Sequence, residues 1–335
     1  MEKQMNINKY PLVTVIATSY NQEKFLVESL NSIISQTYSN IQLIICDDCS
    51  QDNSVTIIDE WIQHNKINCI FLKHTINQGL FCSLNETLTY AKGKYLQFIA
   101  LDDVLFPNKI ENQVALLEQI DDSYAMVYGD MMLINENGDV LYNSLFSHSF
   151  GDSFSPLSGD LFIRIVKDFF YYNQASLIKL EAIKNIQFKF DSKFISEDWH
   201  LQLHLAQQYK IKGTSDIVVK YRFLENSLTR CNWIEEKMHL VIESHFKMIY
   251  ALFDSEKKNK KRRNVIRDKL HSLLFALNSC KNISRKKLFH LALLVFIKSR
   301  HWSDIKVFIR LLQLYLKNII VSKHYNSNNK EVKRI

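Results

Sequence analysis

The chain has 335 residues, 47% of them hydrophobic and 12% aromatic, with only seven glycines and three prolines. Such a chain fills one large or two modest domains with a substantial core, which excludes general disorder. The formal charge of +7 is unevenly spread: residues 230–335 carry 24 Lys and Arg against 8 Asp and Glu, whereas residues 1–229 carry 18 against 27, so an acidic first part joins a basic second part.

In chain order, LVTVIAT (12–18) is a β-branched apolar run that predicts a buried parallel strand. KFLVESLNSIISQ (24–36) has its apolar residues at helical spacing, IQLIICD (41–47) predicts a second strand, and SVTIIDEWIQH (54–64) a second helix. INCIFLK (67–73), SLNETLTYA (83–91), KYLQFIA (94–100) and KIENQVALLEQ (109–119) continue the alternation as strand, helix, strand, helix. Short connections between alternating elements predict an α/β, doubly wound, mostly parallel sheet flanked by helices. Paired strands around ENGD are expected over 125–143, amphipathic helices over 160–170 and 197–209, and a strand near 217–223. From about 232 the pattern is helical, with an exposed, turn-like basic run at KKNKKRR (257–263) and helices near 264–279, 284–298 and 302–321. The expected boundaries are a catalytic domain over 1–230 and a basic helical region over 231–335.

No stretch reaches the roughly 18 apolar residues of a membrane-spanning helix, and MEKQMNINKYPLV lacks a signal-peptide core. The six cysteines at 46, 49, 69, 82, 231 and 280 suggest no disulfide framework, as in a reducing cytosol. Cys46 and Cys49 form a C-x-x-C, but no second pair completes a zinc site and two aspartates between them disfavour a reactive thiolate. His200 and His204 have the i, i+4 spacing of a zinc helix without the glutamate of H-E-x-x-H.

Ligands of open α/β sheets bind outside the carboxyl ends of the strands. Here those ends read TSYN (18–21), DDCS (47–50), HTINQG (74–79) and LDDV (101–104), which gathers polar side chains and four carboxylates on one edge. Turn chemistry alone does not explain that concentration. Neither G-x-G-x-x-G nor a P-loop is present, so a nucleotide would be held by side chains and by a metal bridging its phosphates.

TVIATSYNQEKFLVESLNSIISQTYSNIQLIICDDCSQDNS (14–54) resembles the opening block of glycosyltransferase family 2, and NQGLFCSLNETLTYAKGKYLQFIALDDVLFPNKIE (77–111) is similar to its second block. SEDWHLQLHLAQQYKI (196–211) and VVKYRFLENSLTR (218–230) match the third block and the Y-R segment after it, so the resemblance spans about residues 12–230 in order. It implies a GT-A fold with a C-terminal helical extension and inverting transfer of a sugar from a nucleotide-sugar, a UDP-sugar first, to a glycan or lipid-linked acceptor. Ser19, Tyr20, Asp47, Asp48, Asn77, Gly79, Asn85, Asp102 and Asp103 fall on donor-binding positions, Asp102 on the metal-binding aspartate for Mg or Mn, and Asp198, with Glu197 beside it, on the catalytic base. Three residues depart from the pattern: Ala100 replaces the first carboxylate of D-x-D, Thr18 and Ser19 replace Pro-Thr, and Leu224 stands where Y-R-x-H has histidine.

The cellular role implied is bacterial surface polysaccharide or lipooligosaccharide synthesis, with the basic region on an anionic membrane at the cytoplasmic face. The alternative is a helical subdomain whose apolar faces pack on each other and on the catalytic domain. The competing enzyme is a nucleotidyltransferase, which calls for a glycine-rich basic loop where TSYNQEKF stands. A nucleic-acid-binding tail calls for aromatic residues among the basic ones, whereas Leu, Ile and Phe dominate, so no nucleic-acid partner is expected. A degenerate transferase, inactive through Ala100, is the third alternative.

Overall fold

The computed structural model describes residues 10–168, 172–225, 236–280, 282–299, 305–307 and 309–313. The chain divides into two compact units, Met1–Ser192 with Glu197–Ser227 and Lys193–Ser196 with Leu228–Ile335.

The first unit opens with β1 (Val13–Ser19), α1 (Leu26–Ile34), β2 (Ile41–Asp47), α2 (Ser54–Asn65), β3 (Ile70–Lys73), α3 (Leu80–Tyr90) and β4 (Tyr95–Ala100). After β5 (Val104–Leu105) and α4 (Lys109–Gln119) come the hairpin β6 (Tyr124–Ile134) and β7 (Val140–Tyr142), then α5 (Leu145–Phe150) and α6 (Phe162–Lys167). A 3₁₀ turn, Asn173–Ala175, leads into β8 (Ser176–Lys179), α7 (Leu180–Asn185), α8 (Glu197–Gln208) and the long β9 (Lys210–Arg222).

The nine strands form one mixed sheet in the order β3-β2-β1-β4-β8-β6-β9-β5, with β7 on β6. The four N-terminal strands are mutually parallel, but β8 runs antiparallel to both β4 and β6 and β5 antiparallel to β9. The sheet is therefore parallel in its first half and mixed in its second. Successive strand side chains face opposite ways, so Val13, Val15 and Ala17 of β1 join Leu30, Trp61, Val114 and Leu117 in one buried cluster under α1, α2 and α4. Ile16 and Ile44, equally buried, point to the other face, which α3 covers. Each such fully buried side chain contributes about 1.5–3 kcal/mol over leaving it exposed.

In the second unit, α9 (Met238–Ser255), α10 (Lys260–Ser279) and α11 (Arg285–Ser299) follow one another and pack consecutively. Ile249, Phe253, Leu270, Leu274, Leu291 and Val295 are buried, so most of the apolar periodicity is used in packing. The basic run is not all turn: Asn259 caps α10 by accepting the Arg262 N–H at 3.1 Å, and Lys260–Arg263 form the helix's first turn. Ile195 N–H donates to Ser244 Oγ (2.8 Å) and Ser196 Oγ pairs with His245 Nε2 (2.8 Å), which ties Lys193–Ser196 to this unit. The helix expected over 302–321 lies mostly outside the described residues.

Candidate active site

Parallel pairing brings the ends of β1 to β4 to one edge: Thr18 is level with Ala100, Ser19 with Asp47, and Asp47 with Lys73. The loops there are knitted together. Asn21 N–H donates to Ser50 Oγ (2.8 Å), Gln51 N–H to Asn21 Oδ1 (2.7 Å), and Gln22 N–H to Ser54 Oγ (3.1 Å).

Ser19 is buried with no protein partner for its hydroxyl, while Tyr20 beside it is 44% exposed. A buried, unsatisfied hydroxyl at a ligand-binding edge is suited to a polar group brought by a ligand. The two aspartates at the end of β2, Asp47 and Asp48, are held internally. Asp47 accepts from Ser50 N (2.8 Å) and Ser50 Oγ (2.6 Å). Asp48 accepts from Gln78 N (2.9 Å) and Gly79 N (2.7 Å) and lies 2.8 Å from His74 Nδ1. Gly79 has φ +84, a left-handed geometry that glycine adopts without strain, and Asn77 Oδ1 accepts its N–H at 3.1 Å. Asn85 clamps a distant loop, donating to Phe190 O (2.8 Å) and accepting from Phe190 N (2.9 Å).

The second half of the edge collects acid. Asp102 and Asp103 follow β4; Tyr221 and Arg222 end β9; the 3₁₀ turn supplies Asn173 and Gln174; and Glu197 and Asp198 open α8, where the macrodipole favours negative charge. Asp103 is buried and committed: its Oδ1 accepts Arg222 N–H (2.9 Å) and its Oδ2 accepts Gln174 Nε2 (3.2 Å). Burial, then the charge of Asp102, push its pKa well above the usual carboxylate range. Asp102 is half-buried, and burial raises its pKa against the opposing pull of Arg222 and the side chain of Gln22.

Asp198 is also half-buried, its carboxylate hydrogen-bonded by the Asn173 main chain; burial and then Glu197 raise its pKa well above the ordinary value. Tyr221, stacked on Tyr172 at 5.5 Å, lies within electrostatic reach of Asp102, Asp103 and Asp198 together. The Tyr172–Tyr221 stack thus links the end of β4, through Arg222 N–H to Asp103, with the start of α8, through the Asn173 main chain to Asp198.

Arg222 fixes this geometry. Buried at 3% exposure, it donates through Nε to Asp102 O (2.9 Å), through Nη1 to Asn135 O (3.3 Å) and Glu136 O (3.1 Å), and through Nη2 to Glu28 (2.6 Å). Its guanidinium also lies 4.7 Å from the Phe25 ring centre. Asn108 holds the position before α4 but makes no side-chain cap.

Among the described residues, no group of three or more His, Cys, Asp or Glu could hold a metal ion. The half-buried Asp102 instead fits an ion such as Mg²⁺ or Mn²⁺ that takes one or two carboxylates and completes its shell with phosphate and water. His200 and His204 pack beside Phe188, and burial lowers both pKa values, that of His200 to about 3. Burial drives the Cys46 thiol up to about 12, which rules out a reactive thiolate there. Sequence reasoning missed Gln22, Glu28, His74, Glu86, Asn173 and Gln174. Of these only His74, directly at a strand end, carried a signal.

A mixed sheet with its polar edge over the ends of parallel strands, flanked by helices, is the architecture of the GT-A glycosyltransferases. S. aureus TarS, crystallised in complex with UDP-GlcNAc, superposes with a TM-score of 0.56 at 18% identity, covering 92% of each chain. The mannosyltransferase PcManGT from Pyrobaculum calidifontis, in complex with GDP-Man and Mn²⁺, gives 0.56 at 15% identity over 92% of this chain and 87% of that one. The model of glycosyl transferase family 2 matches residues 14–185. An uncharacterized glycosyltransferase of Methanocaldococcus jannaschii is 30% identical over 250 residues, 71% of this chain and 80% of that protein. The Escherichia coli UDP-Glc:alpha-D-GlcNAc-diphosphoundecaprenol beta-1,3-glucosyltransferase WfgD is 33% identical over 129 residues, 38% of this chain and 49% of WfgD. Several rickettsial relatives are matched over only 19% to 23% of their length. The chain belongs to glycosyl transferase family 2.

Proposed function

We propose that the chain transfers a sugar, with inversion, from a nucleoside-diphosphate sugar, a UDP-sugar first, to a hydroxyl of a glycan or lipid-linked acceptor in bacterial surface polysaccharide synthesis. The observation that carries this reading is the chain of contacts at the sheet edge that runs from Asp198, bonded by the Asn173 main chain, through the Tyr172–Tyr221 stack to Asp103, which accepts the Arg222 N–H. Asp198 is the base that takes the acceptor proton. Its raised pKa suits that task, because a stronger base accepts a proton more readily as the hydroxyl attacks. A single displacement inverts the anomeric carbon and requires no covalent enzyme intermediate.

Asp102 is the residue that would hold a divalent cation, and Asp103 and Arg222 keep it in place. Such an ion, when bound, offsets negative charge on the departing diphosphate. Ser19 and Tyr20 take the nucleoside side. The UDP-Glc donor of WfgD and the UDP-GlcNAc bound to TarS support a UDP-sugar, and the diphosphoundecaprenol acceptor of WfgD supports a lipid-linked one.

The basic second unit is read as the surface that meets anionic lipid at the cytoplasmic membrane face. Lys260 and Lys261 stand exposed or nearly so in the first turn of α10, where the macrodipole disfavours cations. Local helix energetics therefore argue against them, and an external anion argues for them. Among the described residues no helix is long and apolar enough to cross a membrane.

Titrating UDP-, GDP- and dTDP-sugars with and without Mn²⁺ tests the donor reading. Asp102→Ala should lose the Mn²⁺-dependent part of binding; if it binds every nucleotide-sugar as wild type does, the metal role is wrong. Lys260→Glu/Lys261→Glu should reduce co-flotation with anionic liposomes, and undiminished flotation would remove the lipid assignment.

A further inference from the structure

His74 lies at the foot of the β3–α3 loop and has a carboxylate at each ring nitrogen. Nδ1 is 2.8 Å from Asp48 at the end of β2, and Nε2 is 2.9 Å from Glu86 on α3. A carboxylate only accepts, so both ring nitrogens satisfy their partners only when both carry a proton, as in the imidazolium. The main chain is pinned as well, since His74 N–H donates to Asp47 O at 3.0 Å.

Asp48 does more than balance that charge. Its two oxygens also accept the Gln78 and Gly79 amides, so one carboxylate anchors both the ring and the far end of the loop. Between those anchors Thr75, Ile76, Asn77 and Gln78 are exposed, Ile76 at 69%. Across β2, the loop leaving β1 carries Tyr20, 44% exposed. With β1 and β3 on either side of β2, the two loops start about 10 Å apart, a gap that admits a flat heterocycle between apolar side chains.

We infer that His74 is a positioning residue for the nucleoside half of the donor site: its imidazolium, bridging Asp48 and Glu86, fixes the 75–79 loop so that Ile76 forms the wall opposite Tyr20. This rests on the nucleotide-sugar reading above. The charged and titratable groups facing the ring are Asp48 and the thiol of Cys46 from β2 and Glu86 from α3, with Cys46 Sγ 3.7 Å from Nε2. The thiol stays neutral across the working range. Burial lowers the His74 pKa, but the bonds to Asp48 and Glu86 outweigh it and the net shift is upward. The brace is accordingly complete below the free-histidine value and fails as pH rises through the higher folded value.

The test pairs two measurements on the full chain. Histidine-labelled NMR, with His74 assigned by comparison with His74→Gln, should show both ring nitrogens protonated at pH 6.5 and a raised pKa. Calorimetric titration of UDP, GDP and dTDP with Mn²⁺ should give a dissociation constant that weakens about tenfold across that same pKa, the loss of one charge-assisted hydrogen bond. Glu86→Gln, at a half-exposed position and mild for folding, should move both midpoints to lower pH together. Ile76→Ser should weaken nucleotide binding at every pH and leave the NMR midpoint where it was. A neutral His74 ring at pH 6.5, or an affinity that stays flat while the ring titrates, would overturn the inference. Absence of binding by all three nucleotides at every pH would instead sink the nucleotide reading, and the positioning role with it, whatever the ring's protonation.

Discussion

Arg222→Leu deletes one side chain and releases four restraints on the site at once. Breaking a buried ion pair by removing one member typically costs about 3–5 kcal/mol, mostly through the charge left behind. Here the partner, Glu28, has a 52% exposed side chain, so water recovers much of that charge and the pair itself is discounted. The main-chain carbonyls of Asp102, Asn135 and Glu136 also lose donors, each worth about 1–3 kcal/mol where water cannot replace them. Residue 136 is exposed and 102 and 135 only half-buried, so the sum is held near the lower end, about 3 kcal/mol in all. Arg222→Lys keeps a charge for Glu28 but cannot reach all the carbonyls, and should fall between. Urea denaturation read by circular dichroism gives the comparison, with nucleotide affinity measured on the same samples. A loss below about 1 kcal/mol for the leucine variant would mean the guanidinium is not what holds the β9 end to Asp102 and the β6–β7 turn.

Three further outcomes are expected. Asp198→Asn should lower transfer by about 10²–10⁴-fold with donor affinity unchanged; equal losses in both would show that it binds donor rather than acts as base. Mn²⁺ should bind weakly to the protein alone and far more tightly once a nucleoside diphosphate is added, as calorimetry would read, and tight binding to the protein alone would point to a ligand set beyond Asp102. Gly93→Ala should cost about 1–3 kcal/mol in thermal unfolding, because the new methyl would sit 2.6 Å from both Thr14 N and Tyr95 O and 2.9 Å from Leu12 O; an unmoved midpoint would show that this strand entry gives way.

The first half of the fold was legible because its periodicity is long and uninterrupted. β2 and α4 fall on the expected residues, and β1 and β4 within one. Elements too short for a period left no trace: β5 has two residues and β8 four, and only the sheet's register reveals them. At the site, strand-end polarity and block order point to Asp102 and Asp198, but say nothing of what their neighbours do. Asp47, Asp48 and Asn85 look from sequence like ligand contacts, and the structure engages their side chains with Ser50, the His74–Gly79 loop and Phe190. Those partners lie from 3 to 105 residues away, and a hydrogen bond across the fold has no signature in spacing. In the sequence the basic run at 257–263 looks like a turn because its charges hide the helix period, yet Asn259 marks where the helix begins.

The position of β5 has a consequence for how the protein is made. It follows β4 in the chain by only a few residues, yet its ladder partner is β9, more than a hundred residues later. While the polypeptide emerges from the ribosome, the segment that carries Asp102 and Asp103 thus waits for β9, whose arrival also delivers Tyr221 and Arg222. Long-range pairing of this kind forms late, because its loop closes only after much of the chain is ordered. The acidic half of the candidate site is therefore the last part of the sheet to be built, and a nascent chain that has folded its first four strands can have the edge with Tyr20 and Asp48 without yet having Tyr221 and Arg222 beside Asp103.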